Sequence, residues 1–151
     1  MIDLDELDTR ILNELLRDSR ASYRELARRV GVSVSTVIKR VKALEAAGVI
    51  KGYTAILDYE KLGYDITVVT EVTVSKGRLL EMEREIAKIP SVCAVYDVTG
   101  ETDAIIIAKF RRRSELSKFT KKLLSMPFIE RTNTHVVLTS VKEDFRLPIK
   151  P

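Results

Sequence analysis

The hydrophobic period of this 151-residue chain changes near Lys51, and this change constrains the fold more than any other feature of the sequence. Before Lys51, apolar residues recur at the three- and four-residue spacing of amphipathic helices. After it, several runs alternate between apolar and polar residues, as strands do when one side faces a core. The pattern predicts an α+β protein with a helical domain over 1–52, a linker strand and turn over 53–64, and a sheet domain over 65–151.

Three helices are predicted in the amino-terminal domain, and each begins after a polar residue suited to cap it. Asp5 precedes the first helix, a capping box begins at Ser22 before the second, and Ser33 precedes a third that runs to Ala47. Gly31 lets the chain reverse between the second and third helices. Two short helices joined by such a turn are typical of a helix-turn-helix motif.

The charge of this domain is divided unevenly along the sequence. Residues 1–19 carry two bases and six acids, a net charge of −4, whereas residues 20–51 carry eight bases and two acids, a net charge of +6. A local excess of this size is typical of a surface that contacts nucleic-acid phosphates. A basic face that contacts only water is the alternative, and charge alone does not separate the two.

The third helix divides into two arcs at 100° per residue. One arc is apolar, is expected to pack on the first two helices, and contains Val34, Val37, Ile38, Val41 and Leu44. The other supplies hydroxyls and cations that contact phosphates or base edges in a major groove. We predict double-stranded DNA as the partner of this arc, although most such faces touch only water. The candidate DNA-binding residues are Ser33, Ser35, Thr36, Lys39, Arg40 and Lys42, with an ion pair to an acid of the first helix as the alternative for Arg40.

The remainder of the chain predicts the order β-α-β-β-α-β, with helices that end at Pro90 and before Pro127. This order is typical of a ferredoxin-like sandwich, in which two helices cover one face of an antiparallel sheet. The predicted strands, including that of the linker, are Tyr53–Asp58, Ile66–Ser75, Val92–Thr99, Asp103–Phe110 and Ile129–Val141.

Several of these strands are apolar on both faces, although two helices cover only one. Ala104–Ala108 is apolar throughout, and Val69, Val95 and Val137 are assigned to the face without helices. A large apolar face is rarely left in contact with water. We therefore predict an obligate homodimer that packs sheet against sheet.

Short motifs along the whole chain resemble the Lrp/AsnC, or feast/famine, family of transcription regulators. They include Leu4–Asp8, Glu25–Ala27, Arg40–Glu45, Gly48–Tyr53 and Thr99–Asp103. The resemblance implies dimers that often assemble into octamers, palindromic operators, and amino-acid effectors that bind where dimers meet.

The resemblance also implies an effector site, carried over as Thr99, Gly100, Asp103, Thr132, Asn133 and Thr134. A glycine turn presents backbone N–H groups to a carboxylate, and an aspartate pairs with an ammonium group. The alternative is structural: Gly100 only permits the turn, and Asp103 only caps it. The acids of segment 96–103 favour a cationic or zwitterionic ligand, and no other cofactor is expected.

Single residues exclude several other classes of site. Cys93 has no partner for an internal disulfide, which favours the reducing cytoplasm, and its apolar neighbours predict a core position. His135 is the one histidine, so a metal site with two imidazoles is excluded. No apolar run approaches the ~20 residues needed to span a bilayer, and the acidic amino terminus is unlike a signal peptide.

These observations predict a sequence-specific DNA-binding regulator that responds to an amino acid and is not an enzyme. One alternative is an architectural protein that binds DNA through charge without reading bases. A remote alternative is an enzyme, because siroheme decarboxylases resemble this two-domain architecture. The single histidine, His135, disfavours it.

Overall fold

A computed structural model describes residues 3–150. The chain divides into a helical unit, which comprises residues up to Ile56 together with those from Glu143 onward, and a sheet unit over residues 57–142. The helical unit is therefore discontinuous in sequence, whereas the expected sheet domain extended through 65–151. Its carboxyl-terminal segment is held through Asn13, whose side chain donates to the carbonyl of Ile149 at 2.8 Å and accepts from its N–H at 2.9 Å.

The helical unit contains the three predicted helices, α1 (Glu6–Arg17), α2 (Tyr23–Val30) and α3 (Val34–Ala46). Each begins with a side-chain cap, because Asp5, Ser22 and Ser33 each accept from the N–H three residues later. Apolar side chains from all three helices form one core, which contains Ile11, Leu26, Ala27, Val30, Val37 and Val41.

The turn between α2 and α3 depends on a left-handed glycine. Gly31 has φ +73°, and its N–H and that of Val32 both donate to the carbonyl of Ala27 at 2.9 and 3.1 Å. The reversal places α3 against the core from Val37 onward. Val34 was expected in that core but is 37% exposed. It is the first residue of α3, and the helix reaches the buried cluster one turn later, at Val37.

The sheet unit confirms the β-α-β-β-α-β order and the antiparallel sheet. Its strands lie in the order β2-β3-β1-β4, so the first and third strands of the unit pair at the centre. The elements are β1 (Ile66–Val74), α4 (Leu79–Ala87), β2 (Val92–Asp97), β3 (Ala104–Phe110), α5 (Arg113–Leu124) and β4 (Ile129–Val136).

One face of the sheet packs against α4 and α5, and the opposite face carries no helix of this unit. The helix side holds the core, which includes Val68, Val72, Met82, Ile86, Ile106, Phe119 and Leu123. We call the other side the open face; it contains the half-buried side chains of Val69, Glu71, Ile105 and Ile107. Its apolar members agree with the alternation predicted for β1 and β3.

The predicted side for Val95 is wrong. The register of β2 on β3 shifts between Val92 and Ala94, so that Val95 pairs with Ile106 and packs into the helix-side core. A bulge of this kind exchanges the two faces of a strand. Cys93 lies at the same irregularity and is exposed, so its predicted core position is also wrong.

Two predicted strands differ from the structure because they lack neighbours. Residues 53–58 form no strand and join no sheet among the described residues, because a strand needs a hydrogen-bonded ladder with a neighbour. The last strand ends at Val136 instead of Val141, because its partner β1 begins at Ile66. The N–H of Val137 makes the final cross-strand bond, to the carbonyl of Thr67 at 2.9 Å.

Candidate nucleic-acid interface and effector loop

Three hydroxyls cluster at the start of α3. Ser33 Oγ lies 2.9 Å from Ser35 Oγ and 2.8 Å from Thr36 Oγ1, and it accepts from the Thr36 N–H at 3.1 Å. The cluster therefore caps the helix and exposes Ser33 and Ser35 to solvent. Hydroxyls at this end of a helix are suited to contact phosphate oxygens.

The outer face of α3 carries exposed cations beside small residues. Lys39 and Lys42 lie on the same arc as Ser35 at 100° per residue, and Ala43 and Ala46 lie beside them. Within residues 3–150, no carboxylate pairs with Lys39 or Lys42. The arc extends roughly 16 Å along the helix at 1.5 Å per residue, and its small alanines permit close approach to another surface.

The structure places Arg40 against α1, which is the alternative that the sequence left open. Its guanidinium nitrogen lies 2.6 Å from a carboxylate oxygen of Asp5 and 3.2 Å from one of Asp8. The Asp5 hydrogen bond is the main reason that the pKa of Arg40 is raised, and the charge of Asp8 adds to it. Arg40 therefore joins α3 to the start of α1 and is not presented with Lys39 and Lys42.

The acidic first segment neutralises part of the basic second segment. Arg29 lies 3.3 Å from Glu14 and 3.8 Å from Asp18, in the same way that Arg40 meets Asp5 and Asp8. Other bases of the +6 segment face solvent, including Arg24 and Arg28 on α2. These two arginines belong to the basic segment but lie outside α3, the helix to which the predicted DNA contacts were assigned.

The predicted effector loop is fastened to the end of β1. Asp103 Oδ2 accepts from the Val74 N–H at 2.8 Å, and Thr102 Oγ1 donates to the Val72 carbonyl at 2.7 Å. Gly100 adopts φ +131°, which an L side chain rarely adopts. Gly100 therefore permits the turn, and Asp103 fastens the loop to the end of β1, while the assignment of both residues to an effector stays a prediction. Asp103 Oδ1 makes no hydrogen bond to any residue that the structure describes.

The three β4 residues assigned to the effector site lie on two faces of the sheet. Thr132 and Thr134 pair with Val72 and Thr70 and share the helix side, where the Thr134 hydroxyl lies 3.1 Å from that of Thr70. Asn133 lies on the open face, and its amide donates to Glu71 at 3.2 Å. Thr132 and Thr134 therefore lie on the face opposite Asn133.

His135 belongs to the same polar group of the open face as Asn133. Its Nε2 lies 3.6 Å from Glu71 and 3.1 Å from the Asn133 amide nitrogen. Residues 3–150 contain no cluster of three or more side chains suited to hold a metal ion. None of the helices over the same residues is long and apolar enough to cross a bilayer.

The segment after α3 is tied back to that helix by a tyrosine. Tyr53 Oη donates to Glu45 at 2.8 Å. Burial raises the pKa of Tyr53 to about 12, and the hydrogen bond to Glu45 contributes in the same direction. The tyrosine therefore stays a neutral donor at all physiological pH values.

Comparisons with known proteins match both units. Residues 4–51 match a model described as winged helix-turn-helix DNA-binding, and residues 67–147 match the Lrp/AsnC ligand binding domain. The chain is 51% identical to an uncharacterized HTH-type transcriptional regulator of Pyrococcus abyssi, across 95% of this chain and 98% of that one. It is 35% identical to the leucine-responsive regulatory protein of Escherichia coli, across 98% and 93% of the two chains.

A solved structure is similar over almost the whole chain. It is that of a transcriptional regulator of Neisseria meningitidis in complex with L-Met, with a TM-score of 0.89 and 31% identity. The similarity covers 97% of each chain. Both units of the present chain therefore have counterparts in one known architecture.

Proposed function

This chain belongs to the Lrp/AsnC family of transcription regulators, and from that membership we propose that it reads a palindromic operator through the outer face of α3. The contacting residues are Ser33, Ser35, Thr36, Lys39 and Lys42. Arg40 is removed from the contacting set and acts as a positioning residue, because its guanidinium bridges Asp5 and Asp8.

The exposure of Lys39 and Lys42 carries this proposal. Elsewhere in the helical unit, Arg29 and Arg40 meet acids of the first segment, whereas these two lysines meet none within residues 3–150. Unpaired cations on a helix that follows a helix-turn-helix turn are suited to a major groove. Helix termini and hydroxyls at Ser33 and Ser35 add contacts to the DNA backbone.

Selection of bound duplexes from a random pool tests the proposal. The wild-type chain is expected to enrich one palindromic sequence, and Lys39→Ala with Lys42→Ala is expected to lower the preference for it about tenfold to a hundredfold. Arg84→Ala in α4 with Lys88→Ala at its carboxyl-terminal cap is the matched control, since it removes the same charge elsewhere. Enrichment of no sequence would favour the architectural alternative and contradict base reading.

Substitution of Arg40 provides a second control, which separates effects on operator binding from effects on the stability of the helical unit. Arg40→Ala removes the partner of two carboxylates and is expected to lower the thermal stability of the helical unit. Lys39→Ala is expected to leave that stability unchanged while it weakens operator binding. Equal stability of the two variants would contradict the positioning role of Arg40.

We propose that the functional form is a homodimer built through the open face, with further assembly to an octamer. Val69, Ile105 and Ile107 support this proposal, because they are apolar residues on a face that carries no helix of its own unit. Burial of such a face is favourable at about 25 cal/mol per Å². A monomer at micromolar concentration in analytical ultracentrifugation would contradict the dimer.

An amino acid is the proposed effector, bound at the loop that contains Thr99, Gly100 and Asp103; Thr132 and Thr134 lie on β4, across β1 from this loop. Asn133 lies on the other face and is assigned to the subunit interface instead. The L-Met complex of the Neisseria relative supports the ligand class. Asp103 supports it too, because Oδ1 makes no other hydrogen bond in residues 3–150 and suits an ammonium group.

Thermal unfolding with each amino acid in turn tests the effector site. One amino acid is expected to raise the midpoint, and Asp103→Asn is expected to abolish that rise. The asparagine keeps an acceptor for the Val74 N–H, so the loop remains fastened while the charge is lost. A rise that persists in Asp103→Asn would place the ligand elsewhere.

The relatives are transcription regulators, and we propose that this chain likewise acts on DNA in the cytoplasm and catalyses no reaction. The siroheme decarboxylase alternative predicts a bound tetrapyrrole. An absorption band of that group in the purified protein would contradict the proposal.

A further inference from the structure

The two helices that cover the sheet differ sharply in charge. Segment 78–88, which contains α4, carries three bases and three acids, a net charge of zero. Segment 111–122, which contains most of α5, carries six bases and one acid, a net charge of +5. The second excess is nearly as large as that of the helix-turn-helix segment, although it lies in the other unit.

The bases at the two ends of α4 pair with acids of that helix. Arg78 lies 2.7 Å from Glu81, and Lys88 lies 2.7 Å from Glu85. Such pairs at a spacing of three residues neutralise the surface of a helix. The helix therefore offers no excess charge to a partner.

The bases of segment 111–122 are mostly without such partners. Arg112, Arg113, Lys118 and Lys121 are exposed, and no carboxylate within residues 3–150 pairs with them. The one acid of the segment, Glu115, accepts from the Arg111 N–H at 2.9 Å. We call Arg112, Arg113, Lys118 and Lys121 the α5 basic face.

Two further bases of the segment are already engaged. The Arg111 guanidinium lies 4.6 Å from the ring centroid of Tyr64. Lys122 lies near Glu85, whose pKa is lowered mainly by its hydrogen bond to Lys88 and to a smaller extent by Lys122. Neither residue is counted in the α5 basic face.

The location of the α5 basic face keeps it in solvent when the open face is covered. Phe119 and Leu123 direct the inner side of α5 into the helix-side core of the sheet. Lys118 and Lys121 lie on the opposite side of α5 at 100° per residue. A partner subunit that packs on Ile105 and Ile107 therefore approaches from the other side of the sheet and leaves these lysines free.

We propose that the α5 basic face is a second DNA-binding surface, which holds the phosphate backbone of duplex DNA outside the operator without reading its sequence. The proposal rests on the DNA binding proposed above. Ser114 and Ser117 lie beside the lysines and add hydroxyl donors to phosphate oxygens. Neutralisation of phosphates by such cations releases counterions and strengthens binding at low salt.

The side chains of this face favour duplex DNA over two other partners, single-stranded RNA and another protein. Single-stranded RNA is held largely by bases stacked on aromatic rings, and the outer side of α5 carries serine, lysine and arginine but no aromatic residue. The centre of a protein interface is rich in aromatic residues and poor in lysine. Lysines and serines without an aromatic anchor suit a sugar-phosphate backbone instead.

Salt titration of DNA binding with two duplexes tests the proposal. One duplex just covers the selected operator, and the other extends it on both sides with unrelated sequence. The variant R112Q/K118Q/K121Q is compared with K61Q/R84Q/K88Q, which removes three exposed bases of the same unit outside the α5 basic face. Glutamine resembles lysine and arginine in helix propensity, so both variants are expected to fold.

The α5 variant is expected to bind the extended duplex about tenfold more weakly at moderate salt. Its salt dependence, the slope of log K against log salt, is expected to fall by about 2 to 3 for each subunit that contacts the flanking DNA, because each phosphate contact contributes about 0.9. Binding to the short duplex and the preference for the operator are expected to stay unchanged. If circular dichroism shows that the triple variant is unfolded, K118Q/K121Q replaces it.

Three results would overturn the proposal. The first is equal weakening by K61Q/R84Q/K88Q, which would indicate net charge alone. The second is unchanged binding of the extended duplex by the α5 variant. The third is a loss of binding to homopolymeric RNA or polyglutamate with binding to DNA retained. A wild-type chain that prefers no operator would contradict the proposed function instead, and the salt slopes on the extended duplex would still test the α5 basic face.

Discussion

The two units begin their helices in different ways. In the helical unit, Asp5, Ser22 and Ser33 each cap a helix with a side-chain hydrogen bond. In the sheet unit, α4 follows Arg78 and α5 follows Arg112, and neither side chain caps its helix. The helices of the two units are similar in length and all bury apolar residues, so the difference lies in the side-chain bonds at their first turns.

Ion pairs follow the same division. Arg40 joins α3 to the start of α1, and Arg29 joins α2 to Glu14 of α1, so these pairs connect elements. In the sheet unit, Arg78 and Lys88 pair with acids of their own helix. Both units have a buried core, and the helical unit adds polar contacts that join its helices to one another.

The largest effect expected from this contrast is that of a cavity in the sheet core. Ile106 is fully buried on β3, in the same core as Phe119 and Leu123 of α5. Ile106→Ala is expected to lower the free energy of unfolding by about 2–5 kcal/mol, because removed methyl groups leave a cavity. Urea denaturation measures the loss.

Hydrogen exchange resolved by residue assigns the loss to a unit. Ile106→Ala is expected to lower the protection of α5 amides, whereas Ile11→Ala, which empties part of the other core, is expected to lower that of α2 and α3. If α5 kept its protection in Ile106→Ala, the uncapped helix would have a source of stability other than the core.

The features predicted correctly from sequence depend on residues close together in the chain. In each capping box, the one at Asp5 and the one at Ser22, the two bonded residues are three positions apart in the sequence. The turn at Gly31 is formed within a similarly short span. Patterns of this length are set by local sterics and hydrogen bonding. The order of strands and helices was predicted for the same reason, since each element has its own apolar period.

The features that were missed depend on residues far apart. Residues 53–58 read as a strand, but alternation does not supply the neighbour that a strand needs. The side of Val95 was wrong because a bulge adds a residue without changing the composition. The bonds between Asn13 and Ile149 span almost the whole chain, so no local pattern could indicate them.

In the candidate DNA-binding site, one residue also depends on groups far away in the sequence. The helical wheel places Arg40 at the edge of the polar arc of α3, where DNA contact and an ion pair are both consistent with the sequence. Only the positions of Asp5 and Asp8 decide between them.

A smaller effect is expected from the removal of one cap. Ser22→Ala deletes the hydroxyl that accepts from the Glu25 N–H at 3.2 Å, and it is expected to cost about 1 kcal/mol. Arg112→Ala at the equivalent position of α5 is expected to cost nothing measurable, because its side chain makes no cap bond. Urea denaturation of both variants measures the difference, and equal losses would break the contrast between the units.

The smallest effect expected is a loss of stability in mild acid, carried by carboxylates that cap helices. The pKa of Asp5 is lowered mainly by the N–H of Asp8, and that of Glu25 mainly by the N–H of Ser22. A carboxyl whose pKa is lower in the folded chain stabilises that chain above its ordinary pKa of about 4, and the contribution disappears as pH falls through the lowered value. Stability is therefore expected to fall below about pH 4.

Both units contain such carboxylates, but their protonation has different consequences. Glu85 and Asp58 of the sheet unit also have lowered pKa values, through Lys88 and Lys61 within their own local segments. Protonation of Asp5 weakens a cap and also the bridge to Arg40, so α1 is expected to lose more amide protection in acid than α5 does. Asp5→Asn keeps a capping oxygen but cannot titrate, and it should flatten the acid response of α1. An unchanged response in Asp5→Asn would mean that other groups of the helical unit carry its acid sensitivity. The side chains at its helix ends would then contribute less to its stability than the buried core does.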